Sequence, residues 1–510
     1  MEIFNIYFIL FKITLFLVQI NSGNQILEIE LRVRGKGNQK ILNSQYFEEP
    51  DEVLVDGEYA FYNSNIVCDL INDSNKITLK WNHSLSSYRG MFENLANITE
   101  INLTNYGNES TVTDMDCMFY SCKSLTSINF NNIDTSKVTS MSSMFKDCSS
   151  LESIDIFISS TSKVEKMNSM FNGCEKLSSI NLNYFDTSLV IDMSNMFYSC
   201  YSLKELNIAN FNTSSVKDMS FMFSFCSSLI NINLYNFDTL KVIDIQSMFL
   251  GCEKLISLDL SNFNTSYVTN MRKMFSGCKQ ISSLNINNFN TSLVTNMEYM
   301  FSGCSSLEEL NINNFIVNSV IYMSYMFSDC ISLKTLNLNN FNTSSVQYIN
   351  NMFSKCFSLE IINLTNFNTS SVTSLYSMFS DCIKLKTINL SNFDTTNISD
   401  MSYLFYNCKE LISINLNNFD TSSVKYMNSM FSNCENLKSL NLNSFNTSSV
   451  KDMHYMFFGC SSLESLNLNM FDTSSVTDMS DMFSFCYNLE SLEINNFNIF
   501  SEKYGIYVCF

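Results

Sequence analysis

The segment "CENLKSLNLNSFNTSSVKDMHYMFFGC", residues 434–460, begins and ends with cysteine and contains two different apolar patterns. In its first half, Leu440 and Leu442 flank the polar Asn441, and this alternation predicts a β-strand. In its second half, residues 450–460, apolar side chains are spaced so that they share one face of a short helix or 3₁₀ turn. The Asn-Thr-Ser-Ser segment between the halves supplies side chains that cap helix starts. The segment therefore predicts a strand, a turn and a short helix.

The same segment recurs along most of the chain with a period of 26 residues. Its closing cysteine stands at Cys122, Cys148, Cys174, Cys200, Cys226, Cys252, Cys278, Cys304, Cys330, Cys356, Cys382, Cys408, Cys434, Cys460 and Cys486. Neither half of a repeat can bury its apolar residues alone, so successive repeats must stack with their strands parallel. The sequence predicts an α/β repeat solenoid that is leucine-rich-repeat-like. A parallel sheet forms one face, and short helices or 3₁₀ turns form the other.

The remaining sequence divides into short flanking segments. Residues 1–23 carry an apolar run that ends in small residues, which is typical of a signal peptide. Because Glu2 precedes any basic residue, an uncleaved amino-terminal anchor is the alternative. We expect residues 24–90 to form a small β-rich amino-terminal cap and residues 91–497 to form a solenoid of about sixteen repeats. Residues 498–510 are expected to be a carboxyl-terminal tail.

Within the cap, apolar and polar residues alternate on both sides of the Gly35-Lys36-Gly37 turn, which predicts a β-hairpin. After the amino-terminal segment, no stretch reaches the roughly 20 apolar residues that a membrane span needs. The sequence therefore predicts no further membrane span.

The charge balance excludes one class of partner. The chain has 30 basic and 49 acidic residues, a net charge of -19. A charge of this sign repels phosphate groups, so nucleic acid is not expected as a partner.

The repeat follows the motif F-[ND]-T-S-x-V-x-x-M-x-x-M-F-x-x-C-x-x-L-x-x-[LI]-x-[LI] over about four fifths of the chain. This motif resembles the BspA-like leucine-rich repeat surface proteins, in the 26-residue form first noted in mycoplasma surface proteins. The general leucine-rich pattern has Asn or Cys where this chain has phenylalanine, as at Phe185, Phe211, Phe237 and Phe263. This departure predicts an aromatic spine in place of an internal polar ladder.

The resemblance implies a solenoid that is secreted or displayed at the cell surface, where family members are associated with adhesion. It implies no catalytic residues and no particular ligand. No glycine-rich phosphate loop is present, and we expect neither enzyme activity nor a cofactor.

The cysteine series permits several chemical readings. A zinc site needs closely spaced ligands, whereas these thiols are one repeat apart and the chain has only two histidines, His83 and His454. A nucleophile needs a base beside one chosen cysteine. Disulfides between neighbours would suit an oxidising compartment, but each thiol has two equivalent neighbours. We therefore expect small buried packing residues and no metal.

Three cysteines break the period, namely Cys68, Cys117 and Cys509. A disulfide between Cys68 and Cys117 would fasten the cap to the first repeats. This bridge is a hypothesis that the sequence leaves open.

The middle residue of each predicted strand points away from the core, and in most repeats it is asparagine. This column is either a structural amide ladder or a polar surface that binds a ligand. On the second reading, breaks in the regularity mark the binding residues, which are Asp155, Phe157, Tyr184, Tyr235, Asp259, Met470 and Glu493.

The polar turns also contain glycosylation sequons. The candidate asparagines are Asn97, Asn102, Asn212, Asn264, Asn290, Asn342, Asn368 and Asn446. A turn that needs Asn, Thr and Ser generates such matches without glycosylation. The threonine row that includes Thr187 and Thr213 is expected to cap turns rather than to form an ice-binding face.

Three functions remain open. The first is a secreted or surface-displayed protein that mediates adhesion by binding an extracellular protein or glycan through its exposed face. The second is a structural surface-coat or cell-wall component that self-associates through the solenoid ends. The third is a receptor-like ectodomain or decoy.

Overall fold

The computed structural model describes residues 27–62, 66–105, 111–130, 134–156 and 160–497. The predicted signal peptide and carboxyl-terminal tail lie outside these ranges. Within them the chain folds into twenty β-strands and contains no helix. The bounds are β1 Leu27–Arg34, β2 Gly37–Lys40, β3 Glu52–Val55, β4 Glu58–Tyr59, β5 Val67–Leu70, β6 Ser74–Trp81, β7 Ile98–Asn105, β8 Ser127–Asn129, β9 Ser153–Asp155, β10 Ser179–Asn181, β11 Glu205–Leu206, β12 Asn231–Ile232, β13 Ser257–Asp259, β14 Ser283–Asn285, β15 Thr335–Asn337, β16 Ile361–Asn363, β17 Thr387–Ile388, β18 Ser413–Ile414, β19 Ser465–Asn467 and β20 Ser491–Glu493.

The chain forms two compact units, Met1–Asn212 and Thr213–Phe510. In the first unit the predicted β-rich cap is an antiparallel sheet in which β1 lies between β6 and β7. The parallel pairing of β7 with β8 joins this sheet to the repeats of the same unit.

The predicted hairpin around the Gly35 turn is wrong. β1 pairs with β6 along its whole length, from Leu27 opposite Trp81 to Arg34 opposite Ser74, whereas β2 pairs with β5. The reason is burial: alternate residues of β1 are covered by the cap core, and the eight-residue β6 matches its length.

The repeats of each compact unit stack as the coils of a parallel β-solenoid. In the first unit Ile154 of β9 is opposite Ile180 of β10, and in the second Leu466 of β19 is opposite Leu492 of β20. Equivalent residues of neighbouring repeats are therefore in register, and the predicted parallel strands are confirmed in most coils. Within the described residues, the coils around Asn311 and Asn441 form no strand.

The segment predicted as a helix is instead a series of β-turns, which we call the turn face. The backbone N–H groups of Ser143 and Phe145 donate to the carbonyl oxygens of Asn168 and Met170 in the next coil, both at 2.9 Å. The Lys146 N–H instead donates within the same coil, to the Ser143 carbonyl oxygen at 3.1 Å, and so closes a turn. Residues of the turn face thus alternate between hydrogen bonds to the neighbouring coil and hydrogen bonds within a turn. The α/β prediction is therefore corrected to an all-β solenoid.

The backbone conformation explains why no helix forms here. After Met141, Ser143 has a φ of 55° and Asp147 a φ of 59°, and every later coil places its two equivalent residues in the left-handed region. A right-handed helix cannot continue through such residues. Consecutive turns nevertheless bring every third or fourth residue to the same side, which imitates helical spacing. Glycine occupies the second left-handed position at Gly173, Gly251, Gly277, Gly303 and Gly459.

The core consists of continuous columns of identical side chains. Phe145 and Phe171 of the turn face stack with their ring centroids 5.5 Å apart. The predicted aromatic spine is a second column, in which Phe445 and Phe471 stack at 6.3 Å. Burying one such side chain stabilises the fold by about 1.5 to 3 kcal/mol, so stacking of coils supplies the dominant stabilising energy.

A buried threonine links each coil to the next. The Thr239 hydroxyl donates to the Asn264 carbonyl oxygen at 2.9 Å and accepts the Asn264 N–H at 2.8 Å. The row predicted to cap turns is thus buried, which excludes an ice-binding face. In one coil Val317 replaces this threonine, and the Asn342 N–H donates to the local Asn340 carbonyl oxygen instead.

Candidate binding surfaces

The cysteines of the repeat are packing residues in this structure. Each of those from Cys122 to Cys486 is buried as a free thiol. The thiol of Cys278, for example, donates to the Phe249 carbonyl oxygen at 3.2 Å, and burial raises its pKa to about 12. A protonated, enclosed thiol is a poor nucleophile and a poor metal ligand.

The two described cysteines outside the series have different surroundings. Cys68 is buried in β5 of the cap, where burial raises its pKa to about 11. Cys117 is half-buried on the turn face beside Arg89 and Asp116, and burial is the main cause that raises its pKa. Both are free thiols, so the structure does not form the predicted bridge; Cys509 lies outside the described residues.

The outward column of the sheet forms amide hydrogen bonds between coils. The Asn337 side-chain amide donates to the Asn313 side-chain oxygen at 3.3 Å, and Asn441 donates to Asn417 at 3.1 Å. These bonds favour the structural reading of the column as an amide ladder.

A second asparagine column lies at the end of each strand. The Asn262 side-chain amide donates to the carbonyl oxygens of Leu234, Tyr235 and Phe237 in the preceding coil, at 3.1, 2.8 and 3.0 Å. Tyr184 and Met470 occupy the equivalent position in their own coils and are 58% and 62% exposed. These two predicted binding residues are therefore true interruptions of a structural column.

Four other predicted binding residues are exposed but dispersed, namely Asp155, Tyr235, Asp259 and Glu493. Tyr235 and Asp259 lie on neighbouring coils of the second unit, whereas Asp155 belongs to the first. Asp259 accepts the Asn285 amide at 3.3 Å, and Glu493 accepts the Asn469 amide at 2.7 Å, so both acids take part in the ladder. Phe157 lies outside the described residues.

A shallow cavity of about 360 Å³ opens on the first unit where the cap sheet meets β7 and β8. Its charged lining residues pair with one another: Arg32 contacts Glu100 at 3.2 Å, and Lys76 contacts Glu30. The cavity therefore presents no unbalanced charge to a ligand.

The sequons fall into two groups. The six in the solenoid turns are exposed at Asn212, Asn264, Asn290, Asn342, Asn368 and Asn446. Asn97 and Asn102 are half-buried, and the Asn97 amide already donates to the Lys40 carbonyl oxygen at 3.1 Å. The turn sequons are thus the accessible ones.

The turn face carries a column, just before the first methionine position of each coil, in which most residues are aspartate, asparagine or serine and one is Lys166. Asp400 shows their role: its side-chain oxygen accepts the Ser402 N–H at 2.8 Å, which closes a local turn. Neighbouring column residues also form parallel bridges, such as Asp400 with Tyr426. A short polar residue at this position therefore supports the coil.

Tyrosine replaces that short polar residue in three coils of the second unit. Tyr322, Tyr348 and Tyr426 cannot accept the local N–H, and they are 41%, 43% and 42% exposed. Tyr322 and Tyr348 stack with their centroids 5.0 Å apart. Together with their aromatic neighbours they form what we call the tyrosine stripe, which comprises Tyr299, Tyr322, Tyr325, Tyr348, Tyr376, Tyr403, Tyr426 and Tyr455.

Two cationic side chains lie beside one end of the tyrosine stripe, and one of them, Arg272, also pairs with Glu298 at 2.8 Å. Tyr299 stacks on Tyr325 at 4.5 Å, and the Lys273 ammonium and the Arg272 guanidinium lie 5.1 and 5.9 Å from the Tyr299 ring centroid. This surface was not predicted from the sequence, because irregularities were sought on the sheet face alone. Tyrosines at outward positions of the methionine segment were the signal that would have revealed it.

His454 lies between two carboxylates on the same face. Asp452, His454 and Asp478 each offer one ligand atom, and these atoms lie within 4.8 Å of one another. All three residues are half-buried. This group is the one arrangement of potential metal ligands found among the described residues.

No helix long and apolar enough to cross a bilayer occurs in the described part of the chain.

Comparisons with solved structures gave distant matches. A leucine rich cell surface protein from Faecalibacterium prausnitzii A2-165 is 17% identical, with 79% of this chain and 90% of that chain covered and a TM-score of 0.30. The TLR13–ssRNA13 complex contains a chain that is 14% identical, with 76% of this chain and 71% of that chain covered and a TM-score of 0.17. No curated protein matches the chain.

One family model matches most of the chain. The model described as "Mycoplasma protein of unknown function, DUF285" matches residues 86–182, 170–283, 251–359, 334–439 and 411–504. These matches overlap and include nearly all of the predicted solenoid, which confirms the resemblance inferred from the 26-residue motif. The chain therefore belongs to the DUF285 family.

Proposed function

We propose that this protein is a non-catalytic adhesion or binding protein, secreted or displayed at the cell surface, and that it binds an extracellular protein or glycan through its tyrosine stripe. The carrying observation is that Tyr322, Tyr348 and Tyr426 stand where the coil itself favours a short hydrogen-bonding residue. These tyrosines are dispensable for the core and are partly exposed, so a role outside the fold accounts for them.

The chemistry of the stripe suits recognition. A tyrosine ring offers a large, rigid apolar face and a hydroxyl group, and few side-chain torsions are lost when it is covered. Binding hot spots are enriched in tyrosine and arginine, and both occur where Arg272 approaches Tyr299. The sheet face is less suitable, because its asparagines already bond to one another.

The proposal includes secretion of the protein or its display at the cell surface. The apolar segment at residues 1–23 has the features of a secretory signal, and six sequons are exposed on the solenoid. Both features agree with passage through a secretory pathway.

A binding screen against extracellular matrix proteins and a glycan panel tests the proposal, followed by the double variant Tyr322→Asn/Tyr348→Asn. Asparagine stands at this position in two preceding coils, as Asn270 and Asn296, so the variant should fold normally. We expect binding to weaken about tenfold or more, which corresponds to about 1.4 kcal/mol.

The matched control is Asn311→Ser/Asn337→Ser on the sheet face, for which we expect an unchanged affinity. Circular dichroism melting should confirm that both variants fold. Failure of the wild-type protein to bind any member of the panel would contradict the function. If only the sheet variant lost binding, the binding site would lie on the sheet face and not on the tyrosine stripe.

A further inference from the structure

The group formed by Asp452, His454 and Asp478 is held in place by its own backbone. The Asp452 side-chain oxygen accepts the His454 N–H at 3.0 Å, and the same oxygen lies 2.7 Å from His454 Nδ1. In the next coil, Asp478 accepts the N–H and the hydroxyl of Ser480 at 2.9 and 2.8 Å. A parallel backbone bridge between Asp452 and Asp478 sets the spacing of the two residues. The potential ligands are thus pre-positioned.

The composition of the group identifies the class of ion. Imidazole is a ligand of borderline transition-metal ions such as Zn²⁺, whereas Ca²⁺ and Mg²⁺ prefer sites built from oxygen alone. One imidazole and two carboxylates supply three ligands and leave a fourth position for water, as in open zinc sites. Because the residues are half-buried, an ion can enter from solvent.

The second histidine of the chain has similar neighbours in an unsuitable arrangement. His83 Nδ1 lies 3.4 Å from Asp51, and His83 Nε2 lies 3.8 Å from Glu48. The two carboxylates therefore approach opposite nitrogens of the ring, and a single ion cannot contact all three residues. His83 provides an internal control with the same kinds of ligand.

We propose that Asp452, His454 and Asp478 form a binding site for one borderline divalent transition-metal ion, for which Zn²⁺ is the best match. The site lies on the turn face beside Tyr455 and Tyr426, which belong to the tyrosine stripe. It does not depend on the proposed adhesive function. The sequence alone discouraged this idea, because the ligands come from two coils and contain no cysteine pair.

Isothermal titration calorimetry of the chelator-treated full-length protein with Zn²⁺ tests the site. The measurements use a Cys117→Ser/Cys509→Ser background, which leaves the buried Cys68 as the one thiol outside the repeat series. We expect one Zn²⁺ per chain, and a loss of affinity of at least about tenfold in His454→Asn and in Asp478→Asn. Asparagine occupies the position of His454 in another coil as Asn428, so the first variant preserves the fold.

His83→Asn is the matched control and should bind Zn²⁺ with unchanged affinity. In NMR spectra, Zn²⁺ should shift the imidazole signals of His454 and leave those of His83 in place, and excess Ca²⁺ should not reverse the shift. An absence of saturable heat in the wild-type background would overturn the proposal. Equal Zn²⁺ affinity in His454→Asn would overturn it as well.

Discussion

At the scale of single residues, the left-handed position before each buried cysteine controls how a coil turns. Gly277 has a φ of 74° there, while Asn407 and Asp381 occupy the equivalent position with φ of 58° and 60°. Asparagine and aspartate tolerate this region better than other residues with a side chain, and β-branched residues tolerate it worst. A Cβ atom at Gly277 would lie 3.5 Å from the Gly251 Cα, an ordinary contact distance. Conformation, not space, therefore limits this position.

We expect Gly277→Asn to change the free energy of unfolding by less than about 1 kcal/mol, and Gly277→Val to lower it by about 1 to 3 kcal/mol. Urea unfolding followed by circular dichroism measures both. Equal stability of the two variants would show that the left-handed conformation is not maintained in solution.

At the scale of one element, the buried threonine carries the connection between coils. Thr265→Val would remove both hydrogen bonds with Asn290, which are 2.8 Å long. We expect a loss of about 2 to 3 kcal/mol. Val317→Thr restores the missing link to Asn342 and should add about 1 kcal/mol. Thermal melting of the two variants measures the opposite shifts, and a stabilised Thr265→Val would contradict the assignment.

Elements differ in how far sequence alone could define them. The alternation of Leu440 and Leu442 around Asn441 predicted the buried and exposed sides correctly, but this coil forms only a single parallel bridge, from Ser439 to Ser465, and not a strand. The spacing of residues 450–460 was ambiguous, since stacked β-turns and a helix both bring every third or fourth residue to one side. The decisive left-handed residues carry many different side chains, from Lys273 to Tyr299, so composition did not reveal them.

At the scale of the whole molecule, the buried thiols should make stability depend strongly on alkaline pH. The folded chain raises the pKa of Cys122, Cys278 and Cys330 from 9.0 to about 12, and desolvation is the main cause. A raised pKa means that the folded chain keeps protons that the unfolded chain releases. The stabilisation is fully present below pH 9 and is lost as the pH rises toward 12.

Each such thiol contributes a slope of up to about 1.4 kcal/mol per pH unit in this window. We expect the melting temperature to fall steeply above pH 9, and Cys278→Ala to fall less steeply than the wild type. Because tyrosine and lysine titrate in the same range, the difference between the two proteins is the diagnostic measurement. Identical slopes would show that the thiol is not buried in the folded state.

The candidate sites were harder to predict than the fold for a physical reason. Tyr322 and Tyr348 are neighbours in space but one repeat apart in sequence, and Asp478 reaches His454 from the next coil. Their significance depends on the turn-face register, which our helical interpretation had assigned wrongly. Tyr184 and Met470 were predicted because each interrupts a visible column of asparagines, and their role in binding stays a prediction.

The partners in these contacts are always one repeat apart, and this spacing limits how the gene can change in length. Thr239 and Thr265 make the same bonds to the following coil, as do Cys252 and Cys278 to the preceding phenylalanines. Recombination that removes or duplicates one whole repeat inside a compact unit would rejoin equivalent partners and preserve the core. Insertion of a single codon would displace a buried side chain from its column. Alleles should therefore differ in length by whole repeats.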